Sequence, residues 1–324
     1  MINSFFDNKI AVVTGGTGSF GKTILRRLLK TNIKEIRVFS RDEQKHVSLM
    51  RQITDKRVKY IIGDVRDYDS VEKCFKGADI VFNAAAIKHV PIAEIHPWEA
   101  TRTNVIGAKN CLLAADKVGV KRFISISTDK AVEPINAMGI TKALQEKLVL
   151  AYEPDSDMIC GCIRYGNVLN SNGSVVPFFK NLLDSGERVL PLTSNKMTRF
   201  ILTLEQAIDL VFYSISKMNN GDLFVSDIPS LCIEDLADVM LESYGGGSTK
   251  IVGIRPGEKL HETLLSFDET ARAKYEYSKD LGQHFYRVPK HGINENTRVE
   301  LRSDKCYMLD KKEIKKLLID NGIL

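Results

Sequence analysis

A chain of 324 residues, 44% hydrophobic and 27% charged, has the make-up of an ordinary globular protein, long enough for one large α/β domain and a smaller lobe. Its formal charge of +5 is spread thinly, and the densest basic run, Lys311-Lys312-Glu313-Ile314-Lys315-Lys316, reads as a solvated helix face. That argues against a nucleic-acid partner and leaves room for an anionic small molecule. Six cysteines without a Cys-x-x-Cys pair and six histidines without a His-Glu-x-x-His run point to no disulfide framework and no metal. No apolar run reaches membrane-spanning length, and residues 1–7 lack the length and charge of a signal peptide. The expected compartment is the reducing cytoplasm, with no membrane partner.

Short apolar runs at 10–13, 36–39, 60–62, 80–82, 123–126 and 159–163 predict buried parallel strands, with helical stretches such as 22–29 and 98–115 between them. This alternation predicts an α/β fold on a doubly wound parallel sheet, whose ligands lie at the carboxyl ends of the strands. Cys160 and Cys162 share one face of the sixth strand, as reduced core residues. After Tyr165-Gly166-Asn167 the rhythm breaks into a loop at 170–174, helices near 177–183 and 204–218, and a strand at 223–226. The expected division is a nucleotide domain of 1–167 with return elements about 204–232, and a mixed α/β substrate lobe of 168–203 and 233–324. Segments 272–277 and 283–288 are expected to add a contact or a covering loop.

Thr14-Gly15-Gly16-Thr17-Gly18-Ser19-Phe20-Gly21 follows the first strand and opens a helix, with glycines at 15, 18 and 21. Glycine there permits a tight turn, close backbone approach to a pyrophosphate and close helix-to-strand packing, while the helix N-terminus favours the anion. At the end of the second strand stand Ser40 and Arg41, with Lys45 one helical turn on. An acid would suit the ribose hydroxyls of NAD, whereas an arginine suits a 2′-phosphate, so NADP is expected ahead of NAD. The alternative is that Arg41 pairs at the surface with Asp42 or Glu43. Asp64 and Val65 after the third strand are candidates for the adenine. Asn83, Ala84, Ala85 and Ala86 after the fourth are candidates for the nicotinamide ribose, and Asn104 is counted with them.

Ser127-Thr128-Asp129-Lys130 ends the fifth strand, and Met138-x-x-x-Lys142 places methionine and lysine on one helix face. Together with the glycine loop, Asn83-Ala84-Ala85-Ala86 and Arg255-Pro256-Gly257-Glu258, these motifs resemble, in order and over nearly the whole chain, the extended short-chain dehydrogenases/reductases that act on nucleotide sugars. That family has a Rossmann fold and usually carries Tyr-x-x-x-Lys, the tyrosine taking the alcohol's proton. Here a thioether holds the tyrosine's place, and a thioether is no general base. Within the family the chain is most similar to the C5-inverting UDP-N-acetylglucosamine 4,6-dehydratases, whose capsule-sugar subgroup carries the same methionine. The dTDP-glucose 4,6-dehydratases have Thr-Asp-Glu where this chain has Thr128-Asp129-Lys130.

The resemblance implies a redox-neutral lyase of capsule or O-antigen sugar biosynthesis, with NADP, a UDP-sugar and assembly into a homo-oligomer, a hexamer being one arrangement. It implies Asp129 as acid for the C6 oxygen and Lys130 as base at C5, each with its pKa brought towards neutrality. Thr128 would bond the C4 oxygen and Lys142 would hold the nicotinamide ribose. What removes the C4 hydroxyl proton stays open between Lys130, Asp129 and a water. Arg255 and Glu258 are candidates for the diphosphate and ribose of the substrate, and Asn167, Lys180 and Arg199 join them by resemblance. Lys88 and His89 are candidates for the sugar or its N-acetyl group, while His261-Glu262 reads as structural. Two other readings remain: a UDP-sugar 4-epimerase, which needs neither Asp129 nor Lys130, and a non-catalytic NADP-binding sensor.

Overall fold

The computed structural model describes residues 2–171, 173–292 and 300–324. Met1, Asn172 within the expected 170–174 loop, and 293–299 within the expected lobe lie outside the described residues. Six strands come first: β1 (Ile10–Thr14), β2 (Glu35–Ser40), β3 (Val58–Ile62), β4 (Ile80–Asn83), β5 (Arg122–Ile126) and β6 (Ile159–Arg164). Nine more complete the ladders used below: β7 (Asn167–Val168), β8 (Val189–Leu192), β9 (Thr198–Leu202), β10 (Asp222–Ser226), β11 (Ser230–Cys232), β12 (Ser248–Ile251), β13 (Thr263–Leu265), β14 (Lys274–Ser278) and β15 (Gln283–Val288), followed by the short β16 (Leu301–Arg302).

A nine-stranded sheet runs in the order β14-β15-β10-β6-β5-β4-β1-β2-β3. From β3 to β10 all neighbours are parallel, with Val13 opposite Val38 on one side and Phe82 on the other. Strand order reverses at β1, between β2 and β4, which makes the carboxyl end of β1 the topological switch point where ligands of such sheets lie. Helices α1 (Ser19–Leu28), α2 (Glu43–Gln52), α3 (Tyr68–Phe75), α4 (Val90–Ile95), α5 (Pro97–Ala100), α6 (Gly107–Lys117), α7 (Ala137–Ala151), α8 (Val175–Asp184) and α9 (Leu204–Lys217) follow in turn. The strands are apolar on both faces because helices cover both. Phe6, Phe82 and Phe212 meet beneath one layer, Phe6 and Phe212 with ring centroids 4.6 Å apart.

The expected helix over 98–115 is one run in three pieces, with a π-helical turn at Thr101–Ile106 joining α5 to α6. Such a turn re-aims a side chain inward and marks functional positions; here it carries Asn104.

A second apolar cluster gathers Phe179, Leu183, Leu190, Leu236, Met240 and Leu318. It lies among α8, α10 (Ile233–Ser243), α12 (Lys311–Asp320) and the parallel pair β8–β12, with the four-residue α11 (Phe267–Thr270) standing after β13. Segments 274–278 and 283–288 differ from the sequence expectation. They are no covering loop but an antiparallel hairpin that extends the main sheet through β15 against β10. All six cysteines are free. Among the described residues no helix is long and apolar enough to cross a membrane, and no three metal-ligating side chains gather as a metal site.

Candidate active site

At the switch point Gly15 turns the chain with φ +64°, and a Cβ there would fall 2.9 Å from the Cα of Ala85. A Cβ on Gly21 would fall 2.5 Å from the Cα of Gly16. Glycine is therefore needed at both, to seat the loop against β4 and α1 against the loop. Thr14 ties the two loops together: its Oγ1 accepts from the N–H of Ala84 and Ala85 and donates to Asn83 Oδ1 at 2.9 Å. Gly18 caps α1, leaving the first-turn N–H groups of Ser19, Phe20 and Gly21 without helical acceptors. The Phe20 ring stacks on Tyr165. Loop, close glycine approach and helix N-terminus fit the pyrophosphate of a dinucleotide.

At the carboxyl end of β2, Thr17 donates to Ser40 Oγ at 2.9 Å. Arg41 is half-exposed, and its nearest acid is Asp64 at 3.8 Å rather than Asp42 or Glu43. Burial opposes ionisation of Asp64, but the Arg66 guanidinium bonded to both its oxygens outweighs this and holds its carboxyl below the usual range. Lys45 is drawn off: its Nζ lies 2.7 Å from Asp42, the acid that also caps α2. Val65 is turned inward, against Gly107.

A buried hydrogen-bond chain runs beneath the carboxyl ends of β4 and β5. Lys142 Nζ donates to the Ile126 carbonyl at 2.5 Å and to Gln145 Oε1 at 2.6 Å; Gln145 and Asn83 both donate to Ser125 Oγ. Burial pulls the Lys142 pKa down to about 8, against the pull of Glu146. Asn104 bonds both the N–H and the carbonyl of Ile87 and donates to Thr141, tying the loop after β4, which holds Ala84, Ala85 and Ala86, to α7.

The Thr128-Asp129-Lys130 turn leaves β5 beside this chain. It can lie close to α7 because Gly139 has no Cβ, which would fall 2.3 Å from the Lys130 carbonyl. Thr128 Oγ1 donates to Asp129 Oδ1 at 2.8 Å. Asp129 is 1% exposed, with its other oxygen, Oδ2, buried and unbonded. Lys130 Nζ lies 3.1 Å from Asp129 Oδ1, 3.2 Å from Glu262 Oε1 and 3.5 Å from Asn167 Oδ1. Burial lowers the Lys130 pKa, but Asp129 and Glu262 together outweigh it and the ammonium is held above the usual lysine value. The sequence expectation was the reverse, a lysine brought towards neutrality; two buried carboxylates that outweigh both burial and the nearby Arg199 are the reason. Met138 is buried with Ala93 and Ala100 in a small apolar cluster, a packing residue.

The Arg255-Pro256-Gly257-Glu258 loop docks on the start of α7. Asn136 caps that helix by accepting from the Gly139 N–H and donates to the Gly257 carbonyl at 2.7 Å. Arg255 is exposed and pairs with Glu258 at 3.0 Å. Arg199 is buried and tied to the carbonyls of Thr198, Lys259 and Leu260, with Glu262 3.9 Å away. Lys88 and His89 lead into α4, His89 against Gly173. Lys180 is held apart from the Thr128-Asp129-Lys130 turn by the Tyr244 hydroxyl and the Ile323 carbonyl. The structure thus gathers Thr128, Asp129, Lys130, Asn167 and Arg199, adds Gln145 and Asn136, which motif reading passed over, and brings in Glu262, which the sequence read as structural. Of these only Asn136 carried a signal, as an N-cap residue three before a helical glycine.

Residues 11–281 match the family described as "Polysaccharide biosynthesis protein". The chain is 42% identical over 336 residues to a protein of Rickettsia prowazekii (strain Madrid E) named UDP-glucose 4-epimerase, covering 97% of this chain and 96% of that one. The X-ray structure of Pen from Bacillus thuringiensis is 32% identical and superposes with a TM-score of 0.92 over 99% of both chains. DesIV of Streptomyces venezuelae, a dTDP-glucose 4,6-dehydratase solved with NAD and TYD, shares the fold at TM-score 0.70 and 22% identity, over 78% of this chain and 86% of its own. With the family match spanning most of its length, the chain belongs to the polysaccharide biosynthesis protein family.

Proposed function

We propose that this protein is an NADP-dependent UDP-N-acetylglucosamine 4,6-dehydratase that inverts C5, yielding a UDP-2-acetamido-2,6-dideoxy-hexos-4-ulose for capsule or O-antigen sugars. The observation that carries this reading is the buried Asp129 carboxyl, with one oxygen unbonded, in contact with Lys130. An epimerase that only moves hydride at C4 has no use for such a pair. A bound nicotinamide would supply the acceptor for the C4 hydride and its donor at C6, with the C4 hydroxyl proton leaving to water and a proton from water returning to C5 on the opposite face. Moving one proton from Lys130 to Asp129 across their 3.1 Å contact turns the ion pair into a neutral acid and a neutral amine without changing the total charge. A sugar ring that displaces water favours that neutral form. Lys130 Nζ then accepts the C5 proton, made acidic by the C4 ketone, and Asp129 protonates the departing C6 hydroxyl. Thr128, bonded to Asp129, orients it.

Support for NADP comes from Ser40 in place of an acid at the end of β2 and from the half-exposed Arg41. Lys142 and Asn83 would hold the nicotinamide ribose, and the exposed Arg255 the substrate diphosphate. Self-association is part of the same reading, since Ile106, Leu113, Ile140 and Leu144 leave an apolar row exposed on the adjoining 101–117 run and α7.

The relatives named UDP-glucose 4-epimerase favour a second reading, a UDP-sugar 4-epimerase. NMR of the protein with UDP-N-acetylglucosamine and NADP in heavy water separates the two. A 6-deoxy-4-keto product carrying deuterium at C5 supports the dehydratase. A C4 epimer that keeps its 6-hydroxyl and gains no deuterium supports the epimerase.

A further inference from the structure

Two kinds of buried carboxylate occur in this protein, and they differ in how fully they are bonded. Glu146 and Glu269 grip Arg164 from either side, and all four of their oxygens accept a hydrogen bond from it. Glu262, at 2% exposed, is as deeply buried as Glu146 and more so than the partly exposed Glu269, yet its Oε2 has no partner and its Oε1 meets only cations, Lys130 at 3.2 Å and Arg199 at 3.9 Å. A carboxylate placed to brace the fold would be saturated like the first pair.

The placement of Glu262 is rigid and comes from the opposite side of the site. Its N–H donates to Ser303 Oγ at 2.9 Å, and its carbonyl accepts from the Ser303 N–H at 2.9 Å. Thr198 on β9 bonds both Ser303 and the neighbouring His261. Three chain segments, β9, the start of β13 and the turn after β16, therefore fix one carboxylate against a lysine that sits on the turn after β5.

We propose that Glu262 is a positioning residue for Lys130: its carboxylate holds Nζ beside Asp129 and Asn167 and stabilises the positive charge that builds on Nζ as it takes the C5 proton. The chemical part of this role rests on the dehydratase reading above; the positioning part rests on the geometry alone. The arrangement follows the general logic of a base oriented and electrostatically supported by a third group. The charged groups that face Lys130 are Asp129 on its own turn, Glu262 before β13, and Arg199 on β9, with Lys259 on the loop before β13. Of the two carboxylates, Asp129 is the acid of the reaction and changes its charge, so Glu262 is the constant partner.

The test is a direct titration of Lys130 by NMR of the full-length protein labelled with 15N-lysine, the Lys130 signal being assigned by its loss in Lys130→Arg. Glu262→Gln keeps the shape and removes the charge; its melting curve verifies the fold. The Lys130 inflection is expected to fall by about one pH unit or more in Glu262→Gln, and to lie higher in Glu262→Asp, which keeps the charge. With UDP-N-acetylglucosamine and NADP, the fall of kcat at high pH, where the Lys130–Asp129 pair loses its shared proton, moves down by the same amount while KM stays within about twofold, a split that loss of packing alone does not produce. An unmoved Lys130 inflection in a folded Glu262→Gln overturns the positioning role whatever the activity. A moved inflection together with a parent enzyme that turns over no UDP-sugar upholds the positioning and overturns the dehydratase.

Discussion

Lys142 Nζ donates to Gln145 Oε1 at 2.6 Å, and Gln145 passes a hydrogen bond on to Ser125, so the one charged group in this chain is solvated only by neutral oxygens. Burial leaves its pKa at about 8, against the usual lysine value of 10.5. Below pH 8 both folded and unfolded chains carry the proton, and the cost of burying it is felt in full. Between about 8 and 10.5 the unfolded chain holds more protons, so stability from this group rises with pH. Relative to Lys142→Met, the parent protein should gain up to about 3 kcal/mol between pH 7.5 and 10.5. Urea denaturation of both at the two pH values measures it; parallel curves would remove the burial argument.

The Glu146–Arg164–Glu269 triad joins α7 and β6 to α11. Replacing Arg164 by Met strands the buried Glu146, and the partly exposed Glu269, without their cation, at a cost of about 3–5 kcal/mol. A loss under about 1 kcal/mol in denaturant at pH 7 would mean that the site admits water freely.

Arg41 should read the 2′-phosphate. In Arg41→Ala, calorimetric affinity for NADP is expected to fall by roughly 10–100-fold, the worth of a hydrogen bond to a charged group, with affinity for NAD unchanged. Equal effects on both cofactors would sink the NADP assignment.

Met138 lies among Ala93, Ala100 and Val90, where there is room for a flexible thioether. Met138→Tyr adds a ring and a hydroxyl there and should destabilise by about 1–3 kcal/mol, whereas Met138→Leu should cost less than about 1.5. A tyrosine variant as stable as the parent would show that the cluster opens readily, contrary to its packing.

Much of the parallel sheet is written in short apolar runs, because strands covered on both faces must be apolar throughout. The hairpin of β14 and β15 is not legible in that way. As a sheet edge β14 is mostly exposed, with Lys274, Glu276 and two tyrosines, and its ladder continues into a strand some sixty residues earlier. In the site, residues that act through backbone shape, such as Gly15 and Gly21, stand out from spacing alone. Glu262 does not, since nothing local distinguishes a carboxylate buried against Lys130 from one in solvent. Lys45 shows the converse: Asp42, three residues away, was the nearer claim on its charge.

The hairpin also bears on how this molecule can be cut and recombined. Val288 and Arg287 lie opposite Leu223 and Phe224, and Arg287 reaches Asp222 at 2.8 Å. Chain that has passed through the second cluster thus returns to close the flank of the first, before α12 completes the second. Removing everything after residue 232 would bare the hydrogen-bonding edge of β10, whose side chains are all buried, and offer it to other chains. A graft that exchanges the second cluster between relatives must therefore keep β14 and β15 with the nine-stranded sheet, as two inserts around a retained hairpin rather than one terminal piece.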